Sequence, residues 1–114
     1  MNAVIAPIVA EHLDRWNDLA QELSGPRRAE WDDYLRRYGL TRHVSFLAQS
    51  PSGPMPVLFM EGPGAATLMQ RFATSQHPFD QEFRARLEQC HGMSFSAPPP
   101  VPPPQLQHDI RLPE

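Results

Sequence analysis

Hydrophobic side chains in the first third of the chain recur at three- and four-residue spacings, which is the period of an amphipathic helix. In the first stretch the apolar positions are Leu13, Trp16, Leu19, Ala20 and Leu23. In the second stretch they are Trp31, Tyr34, Leu35 and Tyr38. The two stretches are separated by Ser24-Gly25-Pro26, where glycine favours a helix end and proline suits the first turn of the next helix. The pattern predicts a first helix that ends here and a second helix over residues 26–38, ended by Gly39.

The hydrophobic period changes to two in the middle of the chain, which is typical of a β-strand. Over residues 41–48, one face carries Arg42, Val44, Phe46 and Ala48, and the other carries His43, Ser45 and Leu47. A proline- and glycine-rich turn at 50–54 leads to a second apolar run at 56–61, so a hairpin with a loose turn is expected. A short β-branched run at 3–6 predicts a further strand near the N-terminus.

The C-terminal part of the chain contains three kinds of pattern. Helical spacing predicts helices over residues 65–73 and 78–90, separated by a break before Pro78. Six of the eight residues over 97–104 are proline, which favours an extended polyproline strap. Residues 106–112 then alternate apolar and polar, which predicts a weak final strand; a disordered tail is the alternative.

The predicted order, β-α-α-β-β-α-α-β, defines an α+β fold class. With each helix pair merged, it becomes the split β-α-β plan of ferredoxin-like domains, a four-stranded antiparallel sheet with helices on one face. Apolar residues occur on both faces of the hairpin, so the free face needs a cover, and a homodimer that forms a dimeric α/β barrel would supply it. The expected organisation is a ferredoxin-like domain over 1–96, a proline-rich strap over 97–105 and a strand or tail over 106–114.

Composition narrows the function classes. The chain has 114 residues, room for one domain, and a formal charge of -3 that gives no electrostatic case for nucleic acid. Its lone cysteine, Cys90, cannot form an intrachain disulfide and has no zinc-type spacing around it, so we expect a reducing cytoplasm. The N-terminus lacks the basic start of a signal peptide, and no apolar run approaches the about 18 residues of a membrane span.

Three short segments resemble a known family. They are 23–28 (Leu-Ser-Gly-Pro-Arg-Arg), 59–61 (Phe-Met-Glu) and 73–83 (Ala-Thr-Ser-Gln-His-Pro-Phe-Asp-Gln-Glu-Phe). They are similar to segments of a family of small, uncharacterised bacterial proteins in the dimeric α/β-barrel superfamily, over about residues 3–95. The resemblance implies a ferredoxin-like dimer and no established activity. The superfamily includes haem-degrading and quinol-forming monooxygenases, lactone isomerases and polyketide cyclases, but none of their catalytic signatures can be placed on this sequence.

Three residues are candidates for acid–base chemistry. His77 precedes Pro78 with Asp80 three residues later, and a nearby carboxylate can orient an imidazole and raise its pKa. His43 can point into a barrel interior, where it would move a proton or ligate haem. Glu61 ends a strand near the mouth of such a barrel. The alternatives are a helix-entry role for His77 and Asp80, a satisfied strand histidine for His43 and a solvated carboxylate for Glu61.

Arg27, Arg28, Trp31 and Asp80 are the candidate ligand-binding residues. Positive charge at a helix start opposes the helix dipole, so something else should stabilise the two arginines there. The candidates are a carboxylate ligand and ion pairs with nearby acidic residues. Trp31 can line a pocket for an aromatic ligand or belong to the core. The five histidines are dispersed, so no metal site is expected, and no cofactor is identified.

The sequence leaves the function open between classes. One hypothesis is a small-molecule binder or enzyme, of monooxygenase, isomerase or cyclase type, that holds an apolar or aromatic metabolite. Such a protein needs a cavity of a few hundred Å³ lined by a histidine or by Glu61. The alternative is a non-catalytic accessory protein with a filled interior. A third hypothesis is partner binding by the proline strap.

Overall fold

The computed structural model describes residues 2–5, 12–51, 53–92, 94–96 and 105–113, with the backbone alone described for 2–5. In chain order the elements are β1 (Asn2–Ile5), α1 (Leu13–Ser24), α2 (Arg28–Arg37), β2 (Arg42–Ser50), β3 (Gly53–Glu61), a short 3₁₀ helix (Ala65–Thr67), α3 (Leu68–Thr74) and α4 (Pro78–His91). The positions of these elements confirm the predicted helices and the first three predicted strands. The predicted strap at 97–104 lies outside the described residues.

The three strands form one open antiparallel sheet in the order β1-β3-β2. In the central strand β3, residues 57–60 pair with β1, whereas 53–56 pair with β2 alone among the described strands. Pro54 and Pro56 both fall in the singly paired part, where a missing N–H costs no ladder bond to β1. Ser50 pairs directly with Gly53, whose φ of 112° suits glycine, so the hairpin turn is tight and not the loose one expected.

The predicted fourth strand is absent. Residues 105–113 have no strand structure, and Leu106, Ile110 and Leu112 are exposed. The four-stranded ferredoxin-like sheet and the dimeric α/β barrel, predicted from the pattern and implied by the family resemblance, are therefore wrong. Alternation is a property of the segment alone, whereas a strand requires a neighbouring edge that pairs with it.

The register gives the two faces of the sheet different environments. His43 pairs with Met60, Ser45 with Leu58 and Leu47 with Pro56, and this face lies towards the helices. Met60 and Pro56 on it are buried. The opposite face carries Val44, Phe46 and Ala48 of β2 with Val57 and Phe59 of β3. Phe46 is 58% exposed and Phe59 is 37% exposed, so this open face is apolar and uncovered by helices.

The core lies in the helical layer and against the inner face of the sheet. Its buried members are Leu19, Leu23, Tyr34, Tyr38, Leu40, Met60, Ala65, Leu68, Phe72, Phe79 and Phe83. Tyr34 is at the centre of an aromatic cluster, with ring centroids 4.8 to 5.9 Å from Tyr38, Phe72, Phe79 and Phe83. Edge-to-face and tilted pairs of this kind add to the free energy gained by burial.

Both connections between the hairpin and the helices lie at the same end of the sheet. The N–H of Thr41 donates to the carbonyl of Glu61 at 2.8 Å, and the N–H of Gly64 donates to the carbonyl of Gly39 at 3.0 Å. The Arg71 guanidinium joins them by donating to the carbonyls of Tyr38 and Gly64, each at 2.9 Å. This end is closely packed, since a Cβ on Gly64 would overlap the Tyr38 carbonyl oxygen.

None of the helices in the described part of the chain has both the length and the apolar character needed to cross a bilayer.

Candidate functional site

A cleft of about 500 Å³ lies between the helical layer and the inner face of the sheet. Its inner walls are formed by Trp16 and Leu19 of α1, Trp31 and Tyr34 of α2, His43 of β2, Leu58 and Met60 of β3, and Phe83 and Leu87 of α4. Exposed residues, among them Ala20, Ser24, Arg28 and Met69, also line it, so the cleft opens to the surface. Its volume is in the range of roughly 300–1,000 Å³ found for small-molecule sites.

The apolar character of the cleft follows from the sequence periods. Each helix turns its hydrophobic stripe towards the sheet, and β2 and β3 turn every second residue towards the helices. The sheet and the helices contact each other through large aromatic side chains. The cleft is the space that remains between the two layers beside these side chains.

His43 is the ionisable group on the inner sheet wall of the cleft. Its ring contacts Trp31 edge-to-face, with centroids 5.0 Å apart and planes at 86°. Burial lowers the pKa of His43 to about 4, because the charged imidazolium loses its hydration. The imidazole is thus neutral at pH 7, with one nitrogen as donor and one as acceptor. No described residue hydrogen-bonds with the ring.

Tyr34 brings a second aromatic ring to the same cleft. Its ring stacks on Trp31 with centroids 4.7 Å apart and planes at 9°, and burial raises the pKa of its phenol. No described residue hydrogen-bonds with the Tyr34 hydroxyl. Among the described residues, every fully enclosed side-chain oxygen or nitrogen has a partner. The Tyr34 hydroxyl and the His43 nitrogens must therefore reach accessible space.

Asp80 is buried at the start of α4, away from the cleft lining. Its carboxylate accepts two hydrogen bonds from Arg37, one from Tyr38 and one from Ser75, the last two at 2.6 Å. Burial opposes its ionisation, but the Arg37, Ser75 and Tyr38 hydrogen bonds outweigh burial and lower the pKa of Asp80 to about 2. Asp80 therefore links α2 to α4, and its carboxylate is already occupied.

His77 lies at the surface as the N-cap of α4. Its Nδ1 accepts a hydrogen bond from the Phe79 N–H at 3.2 Å, and its Nε2 is 4.0 Å from Asp33. Glu61 ends β3, where its backbone carbonyl accepts from Thr41. Neither His77 nor Glu61 lines the cleft. This placement agrees with the helix-entry interpretation of His77.

The two arginines of the α1–α2 turn differ in position. Arg27 is paired with Glu30 and Glu82, whose hydrogen bonds raise the pKa of its guanidinium. Arg28 is paired with Asp32 at 2.7 Å and lines the mouth of the cleft. The structure thus brings Arg28, Trp31 and His43 together at one site, and it places Arg27, Glu61, His77 and Asp80 elsewhere.

Tyr34 belongs to the aromatic stripe of α2, which the sequence predicts either to line a pocket for an aromatic ligand or to form core. Its ring does both, since it lines the cleft and belongs to the core. The stripe also contains Trp31 three residues earlier, on the same helix face, and this spacing is the signal that links the two rings. Ser45 and Leu58, cross-strand partners on the inner face, also line the cleft.

Among the described residues, no group of three or more His, Cys, Asp or Glu side chains is placed to hold a metal ion. Comparison of the chain with protein-family models, with curated proteins and with solved structures found no match. The family resemblance of the three short segments stays a prediction.

Proposed function

We propose that this protein binds a small, largely apolar molecule in the cleft between its helices and its sheet. The observation that carries the proposal is the open volume of about 500 Å³, walled by aromatic and aliphatic side chains. Apolar ligands gain free energy there by leaving water, at about 25 cal/mol per Å² of buried apolar area. The cleft favours this function over an accessory protein with a filled interior.

Binding is better supported than catalysis. His43 is the imidazole on the inner wall of the cleft, and a pKa of about 4 makes it a weak base. A general base works best with a pKa near the working pH. Glu61 and His77, the other predicted acid–base residues, lie outside the cleft lining. Of the three predicted acid–base residues, His43 alone lines the cleft, and His91 of α4 lines it as well.

The test is binding of N-phenyl-1-naphthylamine, an uncharged apolar fluorophore, followed by fluorescence enhancement. Leu58→Trp fills the cleft from the inner face of β3, whereas Val57→Trp adds the same side chain at the adjacent residue on the open face. We expect saturable binding to the wild type and to Val57→Trp, and loss of binding in Leu58→Trp. Equal binding to all three proteins, with unchanged melting temperatures, would place the probe elsewhere and refute the proposal.

We also propose that a second copy of the chain covers the open face of the sheet. Phe46 and Phe59 contact each other edge-to-face there, with centroids 6.3 Å apart, and both are exposed to solvent. Arg42 and Glu61 pair across the strands at one end of this face, so it carries both charges and can complement itself. Two strands of nine residues offer roughly 300 Å², against roughly 800 Å² per partner in a stable interface, so we expect weak association.

Sedimentation velocity over a concentration series tests the homodimer. Phe46→Ser removes the most exposed aromatic ring of the open face, and Leu47→Ser makes a similar change on the opposite face of the same strand. We expect the wild type and Leu47→Ser to associate with rising concentration and Phe46→Ser to remain monomeric. A wild type that stays monomeric up to millimolar concentration would refute this proposal and leave the ligand-binding proposal intact.

We infer a reducing compartment such as the cytoplasm. Cys90 is free and buried, and burial raises the pKa of its thiol, which suppresses the reactive thiolate. A lone buried thiol adds nothing to a disulfide framework. The fold of the described residues is thus held by packing and ion pairs, and we expect it to be unchanged by reductant in a melting experiment.

A further inference from the structure

The geometry points to one ligand class for the cleft: a flat, uncharged aromatic molecule that carries a hydroxyl or carbonyl group, hydrogen-bonded to His43. This inference rests on the ligand-binding function proposed above and names what that site selects. Its basis is the His43 imidazole, which has no hydrogen-bond partner among the described residues and lies beside the Trp31 indole in a largely apolar lining.

The rings of His43 and Tyr34 both contact Trp31. The His43 ring meets the indole edge-to-face at 5.0 Å, and the Tyr34 ring stacks on it at 4.7 Å. Both side chains line the cleft, and neither hydrogen-bonds with a described residue. A ligand that lies along Trp31 is therefore placed beside the His43 imidazole and the Tyr34 ring.

Unoccupied polar groups in an apolar site favour ligands that can pair with them. A ligand without a hydrogen-bonding group would exclude water from His43 and leave its nitrogens without a partner, which costs free energy. A hydroxyl group can donate or accept, so it satisfies either neutral tautomer of the imidazole. A carbonyl group can accept from the imidazole N–H.

Charge on the ligand is disfavoured by the same site. The imidazole is neutral at pH 7, because its pKa is about 4, and it cannot balance a buried anion. Arg28 and Arg42 also line the cleft, but both are exposed, and Arg28 already has Asp32 as its partner. A carboxylate or an ammonium group placed beside His43 would lose its hydration without gaining a counter-charge from the imidazole.

The aromatic walls favour flat rings. Trp31 also meets Phe83 edge-to-face with centroids 5.5 Å apart, and Trp16 lines the cleft from α1. Offset-stacked and edge-to-face pairs with a ligand ring would continue this pattern. We therefore expect fused-ring aromatics to bind better than flexible chains of similar apolar area.

A matched ligand series tests the inference by displacement of bound N-phenyl-1-naphthylamine at pH 7.5. The series is naphthalene, 2-naphthol and 2-naphthoate, which share one ring system and differ in a single group. We expect 2-naphthol to bind about 3- to 10-fold more tightly than naphthalene, the range of one neutral hydrogen bond, and 2-naphthoate to bind most weakly. His43→Phe keeps the ring volume and should abolish the preference for 2-naphthol, whereas His108→Phe, in the exposed tail, should preserve it.

The outcomes separate the two proposals. If naphthalene and 2-naphthol displace the probe equally in the wild type, or if His43→Phe keeps the full preference, the ligand class is wrong and the apolar site stands. A 2-naphthoate that binds most tightly would also refute the class and would point to Arg28 as the selecting group. If N-phenyl-1-naphthylamine does not bind the wild type at all, the proposed function itself fails.

Discussion

Arg37 donates two parallel hydrogen bonds to the buried carboxylate of Asp80, from Nη1 to Oδ2 at 2.9 Å and from Nη2 to Oδ1 at 2.8 Å. This fork joins the end of α2 to the start of α4. The helical wall of the cleft depends on that link, since α2 supplies Trp31 and α4 supplies Phe83. Charge-assisted bidentate pairs of this kind are stronger than neutral hydrogen bonds.

Replacing Asp80 by Asn should lower the free energy of unfolding by about 3 kcal/mol, because it leaves the Arg37 charge without its buried partner. Asp33→Asn is the matched control, since Asp33 is the exposed carboxylate bound by the same guanidinium, at 2.8 Å. The control should cost no more than about 1 kcal/mol. Urea unfolding followed by circular dichroism measures both, and equal losses would contradict the importance of the buried pair.

Acid should destabilise the protein through Asp80 between about pH 4 and pH 2. The folded pKa is about 2 against an ordinary value of 3.8, so the unfolded chain takes up a proton first as the pH falls. This stabilisation is complete above pH 4 and amounts to about 2 kcal/mol. Unfolding free energies measured from pH 5 to pH 2 should decline less steeply in Asp80→Asn than in the wild type.

A separate pH dependence should arise from His43 between about pH 6.5 and pH 4. Burial lowers its pKa to about 4, so in this range the unfolded chain binds a proton that the folded chain does not. Stability is therefore full above pH 6.5 and falls by up to about 3 kcal/mol as the pH approaches 4. The difference in slope between the wild type and His43→Phe isolates this residue. Parallel curves for the two proteins would show that His43 is not buried as described.

Gly64→Ala should destabilise the protein by about 3 kcal/mol, the upper end of overpacking effects. Gly64 has an ordinary φ of -93°, so the cost comes from the overlap of the new Cβ with the Tyr38 carbonyl oxygen. Gly53→Ala meets no atom within 4 Å but has a φ of 112°, and should cost about 1 to 2 kcal/mol through backbone strain alone. Thermal melts of both variants give the order, and a larger loss for Gly53→Ala would contradict it.

Local signals accounted for most of the elements. The break at Ser24-Gly25-Pro26 and the His77-Pro78 helix start were predictable because capping and proline effects act within a few residues. The prediction of a final strand over residues 106–112 was wrong, because the alternation of these residues carries no information about a partner strand.

The candidate site was predictable only in part. Alternation along β2 placed His43 and Arg42 on opposite faces of the strand, but the predicted position of His43 in the interior of a dimeric barrel is wrong. The register places His43 beside Met60, on the face towards the helices of its own chain. Asp80 and His77 are close in sequence, yet packing gave the Asp80 carboxylate to Arg37 and Tyr38, more than 40 positions away. Whether the Tyr34 hydroxyl has a hydrogen-bond partner depends on which residues the fold brings close to it, and the sequence alone does not predict this.

The β2–β3 hairpin is anchored to the helices at one end only, as far as its hydrogen bonds in the described residues show. It is fixed to the helices at one end, where Thr41 bonds to Glu61 and Arg71 holds the neighbouring carbonyls, and its Ser50–Gly53 tip lies at the far end. We expect the hairpin to bend about this end, which would widen or narrow the cleft without breaking the buried Arg37–Asp80 ion pair. Amide hydrogen exchange in β2 should therefore become faster from Arg42 towards Ser50. A ligand bound between the hairpin and the helices should slow exchange most at the residues nearest Ser50.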